Sequence, residues 1–247
     1  MSTMTKIRQF AHELAQGRRN HPQACSRWDA VRNFRRWSRA LRPGASALAD
    51  GAPWIPFAAR DFLEKALRPE MRVCEYGSGG STLFFASRVR ELVSVEHDAL
   101  WAEKVSAVMA AHRGAAWTLN LQVPQPEPGA AGRADSDPDG YVSSGVAFTG
   151  CSLRNYATAI DAFPDGHFDV VLVDGRARPS CTKHALPKLR AGGLLILDNA
   201  ERESYRTCHE LPAALGWPCR DYFGPGPYVS YFWRATIWQK TGAPAPR

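Results

Sequence analysis

A glycine-rich turn between two short apolar runs is the feature of this sequence with the clearest chemical meaning. Residues 72–96 read RVCEYGSGGSTLFFASRVRELVSVE, which predicts a strand, the turn, a helix and a second strand. Gly77, Gly79 and Gly80 allow positive φ angles and a close approach of backbone amides to a ligand at a helix start. Glu96 ends the second strand about 20 residues after the turn, where a carboxylate can accept both hydroxyls of a ribose. This spacing predicts a nucleoside-cofactor site.

The residue types in the turn narrow the choice of cofactor. The turn lacks the lysine of a phosphate-binding loop, and Thr82 stands where a dinucleotide fingerprint needs its third glycine. ATP and NAD are therefore disfavoured, and an NAD-linked oxidoreductase is kept as an alternative function. The predicted cofactor contacts are Glu75, Gly77, Ser78, Gly79, Gly80, Ser81, Glu96 and His97.

Acidic residues also follow two later apolar runs. Asp174 ends FDVVLVDG, and Asp198 with Asn199 ends GGLLILDN. The carboxyl ends of parallel strands share one edge of a sheet, so Asp174 is predicted to lie near the reacting group, although each aspartate can also simply cap the next turn. Arg176 is predicted to act with it, because guanidinium groups at Arg176 and Arg178 can hold an anionic acceptor. The alternative is that one of these two arginines pairs internally with Asp174 or Glu201.

The order of the predicted elements indicates an α/β fold. Strands alternate with helices from residue 71 onward, and that alternation predicts a parallel, doubly wound sheet covered on both faces. The run Tyr228–Lys240 is aromatic and β-rich and follows turn signals in DYFGPGP, which predicts two terminal strands without an intervening helix. Residues 123–150 form one long irregular segment. Strands are predicted at 71–76, 92–96, 116–122, 168–174 and 193–198, and helices at 3–16, 26–42, 56–67, 81–89, 98–112, 153–162, 180–190 and 201–214.

These motifs together resemble the class I S-adenosylmethionine-dependent methyltransferases. The resemblance covers residues 54–240 and includes EYGSGG, with Ser81 in place of a third motif glycine; PWIPFAARDFLEKAL, VDGRARPSC and LDNAERESY look like a bacterial branch of that superfamily. It implies a doubly wound, mostly parallel Rossmann-like sheet with an antiparallel C-terminal edge strand and S-adenosylmethionine as cofactor. It further implies transfer of a methyl group to a small or surface-accessible acceptor, with oxygen as the favoured atom.

The acidic strand ends are similar to the magnesium site of catechol-type O-methyltransferases. In that family two aspartates and an asparagine hold a hard cation, and the resemblance places these ligands at Asp174, Asp198 and Asn199. Ala177 stands where that family has a lysine base. The resemblance therefore implies a magnesium ion but not the associated lysine chemistry.

The positive charge of the chain is concentrated near its N-terminus. The net charge is +7, and residues 1–70 carry 13 Lys and Arg against 6 Asp and Glu, whereas residues 71–247 carry 18 of each. A basic helical extension is predicted for residues 1–53 and a methyltransferase domain for residues 54–247. The extension either docks with a solvated basic face or binds nucleic acid or an anionic membrane surface. A non-catalytic binding protein of this kind is the second alternative function.

The remaining composition predicts a cytoplasmic protein with reduced cysteines. The N-terminus lacks the apolar core of a signal peptide, and no apolar stretch approaches 18 residues. The six cysteines form no CxxC pair, which predicts free thiols.

Overall fold

The computed structural model describes residues 2–112 and 114–242, which form a seven-stranded sheet between helices. The strands are β1 (Arg72–Tyr76), β2 (Glu91–Glu96), β3 (Ala116–Leu121), β4 (Phe168–Val173), β5 (Leu189–Leu197), β6 (Cys219–Gly224) and β7 (Trp233–Gln239). They lie in the order β3-β2-β1-β4-β5-β7-β6. The chain adds β2 and β3 on one side of β1 and β4 on the other, and this switch in strand order opens a crevice above the carboxyl ends of β1 and β4.

The pairing of the strands confirms the predicted fold class. The first five strands are parallel, and β7 is antiparallel to both β5 and β6. The C-terminal antiparallel strand is therefore present, with β6 beside it at the outer edge. The interpretation of DYFGPGP as turn signals was wrong for its first four residues, which belong to β6. Tyr222 is buried there with its ring 5.8 Å from that of Phe62, and this packing outweighs the turn propensity of the segment.

Nine α-helices occur in the described residues. They are α1 (Thr3–Asn20), α2 (Arg27–Ala40), α3 (Ala47–Asp50), α4 (Phe57–Ala66), α5 (Gly80–Ala86), α6 (Ala99–Met109), α7 (Arg154–Thr158), α8 (Arg178–Lys188) and α9 (Arg206–Ala214). Serine side chains at positions 2, 26 and 46 cap the first three by accepting a backbone N–H. The sequence predicted every helix except α3, because four residues are too few to show a hydrophobic period. Helix α9 begins at residue 206 rather than at 201, after a 3₁₀ turn.

The two faces of the sheet carry separate hydrophobic cores. Tyr76 and Val171 point to the face covered by α7, α8 and α9, whereas Val73 and Leu172 point to the face covered by α4, α5 and α6. The central strands are consequently buried on both sides, as their nearly continuous apolar sequences require. This double cover holds the carboxyl ends of β1, β4 and β5 in fixed positions.

The N-terminal helices pack beside the C-terminal strands of the sheet. The ring of Phe10 lies 5.1 Å from Trp37 and 5.0 Å from Phe232. The amide of Phe223, in the edge strand β6, donates a hydrogen bond to the carbonyl of Ala24 at 3.2 Å. The extension thus covers the exposed edge of the sheet. The domain boundary at residue 53 stays a prediction.

The segment predicted to be irregular, residues 123–150, contains little regular structure. Its start pairs Gln125–Pro126 with Cys151–Ser152, and two 3₁₀ turns occur at Ala130–Gly132 and Val146–Phe148. All six cysteines are free thiols. Among the helices within residues 2–112 and 114–242, none has the length and apolar composition needed to cross a membrane.

Candidate active site

The glycine-rich turn joins β1 to α5 and touches the end of β4. Gly77 has a φ angle of +93° and Gly79 one of +153°, values that other residues adopt only with strain. A Cβ atom on Gly77 would lie 3.2 Å from the carbonyl oxygen of Asp174 and from Cα of Gly175. Glycine is needed here because two backbone segments approach each other at the carboxyl ends of neighbouring strands.

Gly80 has a different structural reason to be a glycine. A Cβ atom at this position would overlap the carbonyl oxygens of Ala47 and Ala52, in α3 and just after it. The N-terminal extension therefore supports the turn through α3. Gly80 was predicted as a cofactor contact, but it packs against these two carbonyl groups. Ser81, also a predicted contact, is buried, with 8% of its surface exposed.

Glu75 lies directly beneath the turn and is completely buried. Its Oε1 accepts hydrogen bonds from the hydroxyls of Thr82 at 2.5 Å and Ser94 at 2.6 Å, whereas Oε2 has no partner. Burial raises the pKa of the Glu75 carboxyl to about 7, although hydrogen bonds from neighbouring hydroxyls oppose the increase. A positive charge placed near this carboxyl would stabilise its ionised form.

Glu96 lies across the turn from Glu75, at the end of β2, and 1% of its surface is exposed. Its Oε2 accepts the backbone amide and the hydroxyl of Ser78, at 2.8 and 2.7 Å. Its Oε1 accepts the backbone amides of His97 and Asp98, at 2.8 and 3.0 Å. Burial by itself would raise the pKa of Glu96, but hydrogen bonds from His97, Ser78 and Asp98 together lower it to about 2. All four acceptor positions of the carboxylate are thus filled by the chain.

Aromatic residues surround the Glu96 side of the turn. The imidazole of His97 lies 5.5 Å from the ring of Phe148 and 5.8 Å from that of Tyr156. The indole of Trp101 donates from Nε1 to the carbonyl of Ser78 at 2.8 Å. Of these neighbours the sequence predicted only His97, because a single aromatic residue in a loop or on a helix carries no pattern that assigns it to a site.

A cavity of about 300 Å³ lies at the carboxyl ends of β4 and β5. The structure brings the three predicted polar residues together here, as expected from two adjacent parallel strands. Trp54 and Tyr231 are 45% and 50% exposed, respectively. The sequence did not predict the aromatic lining, because the run Tyr228–Lys240 shows only a β-rich aromatic composition. The lining residues are Trp54, Asp174, Asp198, Asn199, Arg202, Tyr231 and Trp233.

The two arginines that follow Asp174 point in different directions. Arg178 is buried and its NH2 group donates to Asp174 Oδ1 at 3.0 Å, so the internal pairing left open by the sequence is the one observed. Arg176, the predicted catalytic partner, is exposed and lies 4.8 Å from the centre of the Phe148 ring. It is not one of the residues lining the cavity.

Asp198 is buried, whereas the side chain of Asp174 is partly exposed, at 24%, and the charges of the two carboxyls influence each other. Burial raises the pKa of Asp198 well above its usual value, and the charge of Asp174 raises it further. Burial also raises the pKa of Asp174, but Arg178 opposes this increase. Trp233 Nε1 donates to Asp198 Oδ1 at 2.8 Å. The charge of Arg178 therefore favours the ionised form of Asp174, whereas burial and the neighbouring charge of Asp174 favour the protonated form of Asp198.

The magnesium ion implied by the catechol-type resemblance does not fit these residues as they are arranged. A hard cation needs free carboxylate oxygens, whereas Asp174 Oδ1 already accepts from the guanidinium of Arg178 and Asp198 Oδ1 from the indole of Trp233. Within the described part of the chain, no group of three or more His, Cys, Asp or Glu side chains is arranged to hold a metal.

Comparisons with known proteins support the fold and leave the acceptor open. No family model and no curated protein sequence matches the chain. Among solved structures, the O-methyltransferase TomG from Streptomyces achromogenes, determined with S-adenosylmethionine, is 18% identical with a TM-score of 0.54, covering 86% of this chain and 97% of that one. A candidate O-methyltransferase from Klebsiella pneumoniae is 16% identical with a TM-score of 0.50, covering 96% and 100%. The chain thus has the class I S-adenosylmethionine-dependent methyltransferase fold.

Proposed function

We propose that this protein is a methyltransferase that uses S-adenosylmethionine and an oxygen acceptor on a small molecule. The observation that carries the proposal is the pair of buried carboxyls, Glu75 and Glu96, on either side of the glycine-rich turn. The segment GSGGST between them contains no lysine or arginine. An acidic cradle of this kind suits a cationic nucleoside better than a phosphate.

The residues of the turn fit S-adenosylmethionine. The unpartnered Oε2 of Glu75 can accept a hydrogen bond from the amino-acid portion of the cofactor, and the missing Cβ atoms of Gly77 and Gly79 leave the backbone open to close approach. Glu96 can accept one ribose hydroxyl, rather than the two predicted from the sequence, once the Ser78 hydroxyl turns away. When bound, the cofactor supplies a methyl group on a positively charged sulfur.

The same geometry weighs against the NAD-linked oxidoreductase. A pyrophosphate above the turn would bring negative charge towards Glu75, which is already costly to ionise. Thr82, in the place of the third fingerprint glycine, has its hydroxyl tied to Glu75 and accepts the amide of Gly79 at 2.9 Å. That amide is therefore not available to a phosphate.

The cavity beside the turn is the proposed acceptor site. Asp174 lines it and pairs with Arg178, whose charge favours the ionised carboxylate, and in that form Asp174 can accept the proton of an acceptor hydroxyl as the oxygen forms its bond to the methyl carbon. Holding the acceptor in place supplies on the order of 7 to 11 kcal/mol of the barrier reduction in reactions of this type. Arg202, also in the lining and exposed, takes over from Arg176 as the residue proposed to bind an anionic group of the acceptor.

The basic extension remains the feature that favours a binding role. Arg35 and Arg39 are exposed on α2, as expected for a surface that meets nucleic acid or an anionic membrane. Such a role is compatible with methyl transfer, because these arginines lie outside the cavity lined by Asp174.

Isothermal titration calorimetry with S-adenosylmethionine, S-adenosylhomocysteine, adenosine and NAD tests the proposal. The first two should bind with similar stoichiometry, adenosine more weakly, and NAD not measurably. Glu75→Gln should weaken S-adenosylmethionine but leave adenosine unchanged, since adenosine lacks the amino-acid portion. Binding of NAD in preference to S-adenosylmethionine would overturn the assignment.

A further inference from the structure

All three guanidinium nitrogens of Arg178 form hydrogen bonds within the protein. The side chain is 6% exposed, and each of its three nitrogens donates to a different acceptor. Nε donates to the carbonyl of Gly175 at 3.1 Å, NH2 to Asp174 Oδ1 at 3.0 Å, and NH1 to the carbonyl of Asp198. The guanidinium therefore joins the carboxyl ends of β4 and β5.

The backbone before Arg178 is shaped to place it there. Ala177 adopts a left-handed conformation with a φ angle of +44°. A residue other than glycine adopts this conformation only where the surrounding structure enforces it. Helix α8 begins at the next residue, with Pro179 in its first turn. The chain thus reverses direction directly after β4, and Arg178 returns beneath the strand ends instead of pointing to solvent.

The carboxyls around Arg178 are the residues that a metal-dependent methyltransferase would use as ligands. Asp174 Oδ1 accepts a hydrogen bond from the guanidinium of Arg178. The backbone carbonyl of Asp198 also accepts from this guanidinium, and Asp198 Oδ1 accepts from Trp233. A divalent cation at these oxygens would lie beside the fixed positive charge of Arg178, which is buried and already paired with Asp174, and like charges repel.

We propose that the guanidinium of Arg178 performs here the task of the divalent cation, so that methyl transfer by this protein needs no metal. The statement about methyl transfer rests on the proposed function, whereas the arrangement of charges around Arg178 does not. Arg178 holds Asp174 at the cavity wall and balances its charge. It is a positioning residue, because it reaches the acceptor only through Asp174.

The proposal also narrows the class of acceptor. A cation can bind two adjacent hydroxyls of one acceptor, whereas the guanidinium of Arg178, whose three nitrogens all bond within the protein, leaves the carboxylate of Asp174 as the member of this pair that meets a hydroxyl. The acceptor therefore needs no second hydroxyl beside the one that reacts. In the reaction its O–H proton passes to Asp174, the oxygen bonds to the methyl carbon, and the carbon–sulfur electron pair remains on sulfur.

Manganese binding, followed by electron paramagnetic resonance of the free ion, tests the arrangement without an acceptor. The wild-type protein should leave the manganese signal unchanged. Arg178→Ala should gain a site of about millimolar affinity or tighter, the range of weak oxygen-ligand sites in proteins. Arg178→Lys keeps the positive charge and should gain none, and adding Asp174→Asn to Arg178→Ala should remove the site that was gained.

Two results would overturn the proposal: stoichiometric manganese binding by the wild-type protein that Asp174→Asn abolishes, or a folded Arg178→Ala variant that binds no manganese. If Arg178→Ala does not fold, the wild-type titration alone still decides whether the site accepts a cation. S-adenosylmethionine affinity is measured on the same samples. If the protein does not bind S-adenosylmethionine, that result counts against the proposed function, and the manganese titration still decides whether the site accepts a cation.

Discussion

One carboxylate oxygen of Glu96 accepts hydrogen bonds from both the amide and the hydroxyl of Ser78, at 2.8 and 2.7 Å. Glu96 therefore ties the end of β2 to the glycine-rich turn at the end of β1. The Ser78 hydroxyl fills an acceptor position that a ribose hydroxyl would need. Since a serine hydroxyl can rotate, the cofactor can replace it without disturbing the amide that holds the turn.

This relationship predicts different outcomes at the two residues. Glu96→Ala should weaken S-adenosylmethionine binding by roughly 1 to 3 kcal/mol, because a ribose hydroxyl loses a buried acceptor. Ser78→Ala keeps the backbone amide and removes only the competing hydroxyl, so affinity should be equal or higher. Calorimetry on both folded variants checks this, and equal affinity of Glu96→Ala and wild type would exclude Glu96 from the ribose site.

Glu96 should also make the protein sensitive to acid. Its pKa is lowered from 4.5 to about 2 in the folded chain, so it stabilises the fold above pH 4.5 and this contribution is lost as the pH falls towards 2. The full contribution is about 3 kcal/mol. Urea unfolding of wild type and Glu96→Gln between pH 2 and 6 measures it. The difference between the two proteins should shrink as the pH is lowered, and a constant difference would contradict the prediction.

Glu75 should have the opposite dependence on pH. Its folded pKa is raised from 4.5 to about 7, so its contribution to stability is fully present below pH 4.5 and is lost as the pH rises through 7. Glu75→Gln cannot ionise and should therefore gain stability relative to wild type between pH 5 and 8, by up to about 3 kcal/mol. Unfolding curves of wild type and Glu75→Gln at pH 5 and pH 8 check the sign of this difference in stability. S-adenosylmethionine should reduce the effect in wild type, since its positive charge favours the ionised carboxyl.

The glycines of the turn allow a matched comparison. Gly77→Ala introduces strain of about 1 to 3 kcal/mol at a positive φ angle and also brings a Cβ atom against the end of β4. Gly129 has a similar φ angle of +80° but open space around it. Gly129→Ala should therefore lose stability and keep cofactor affinity, whereas Gly77→Ala should lose both. Calorimetry and thermal unfolding of the two variants distinguish strain from damage to the site.

Short-range patterns explain why much of this site was predictable. A strand followed by glycines predicted the turn, and an acidic residue after each apolar run predicted Glu96, Asp174 and Asp198. Which of Arg176 and Arg178 pairs with Asp174 was not predictable, because the choice depends on the left-handed turn at Ala177, a conformation that alanine does not signal. The saturation of Glu96 was likewise hidden. It depends on the approach of the ends of β1 and β2, which brings Ser78 to Glu96, and on the backbone turn that directs the amides of His97 and Asp98 to the same carboxylate.

The basic extension should be separable from cofactor binding. Arg35 and Arg39 are exposed on α2, whereas Arg36 bonds to Asp61 at 2.6 Å and lies over the ring of Phe57, so its reversal would damage packing. Arg35→Glu with Arg39→Glu should therefore leave S-adenosylmethionine affinity unchanged, because the extension contacts the glycine-rich turn at Gly80 through α3 and the residues just after it.

The same double variant tests the proposed polyanionic partner. If α2 meets phosphate groups, binding to duplex DNA or to vesicles containing anionic lipid should weaken, and its dependence on salt should decrease by about one phosphate contact for each arginine removed. Arg206→Glu, at an exposed position on α9, serves as the charge control and should change neither property. Loss of cofactor affinity in the folded double variant would show instead that α2 belongs to the active site. The charge of the extension would then have to be explained by the acceptor.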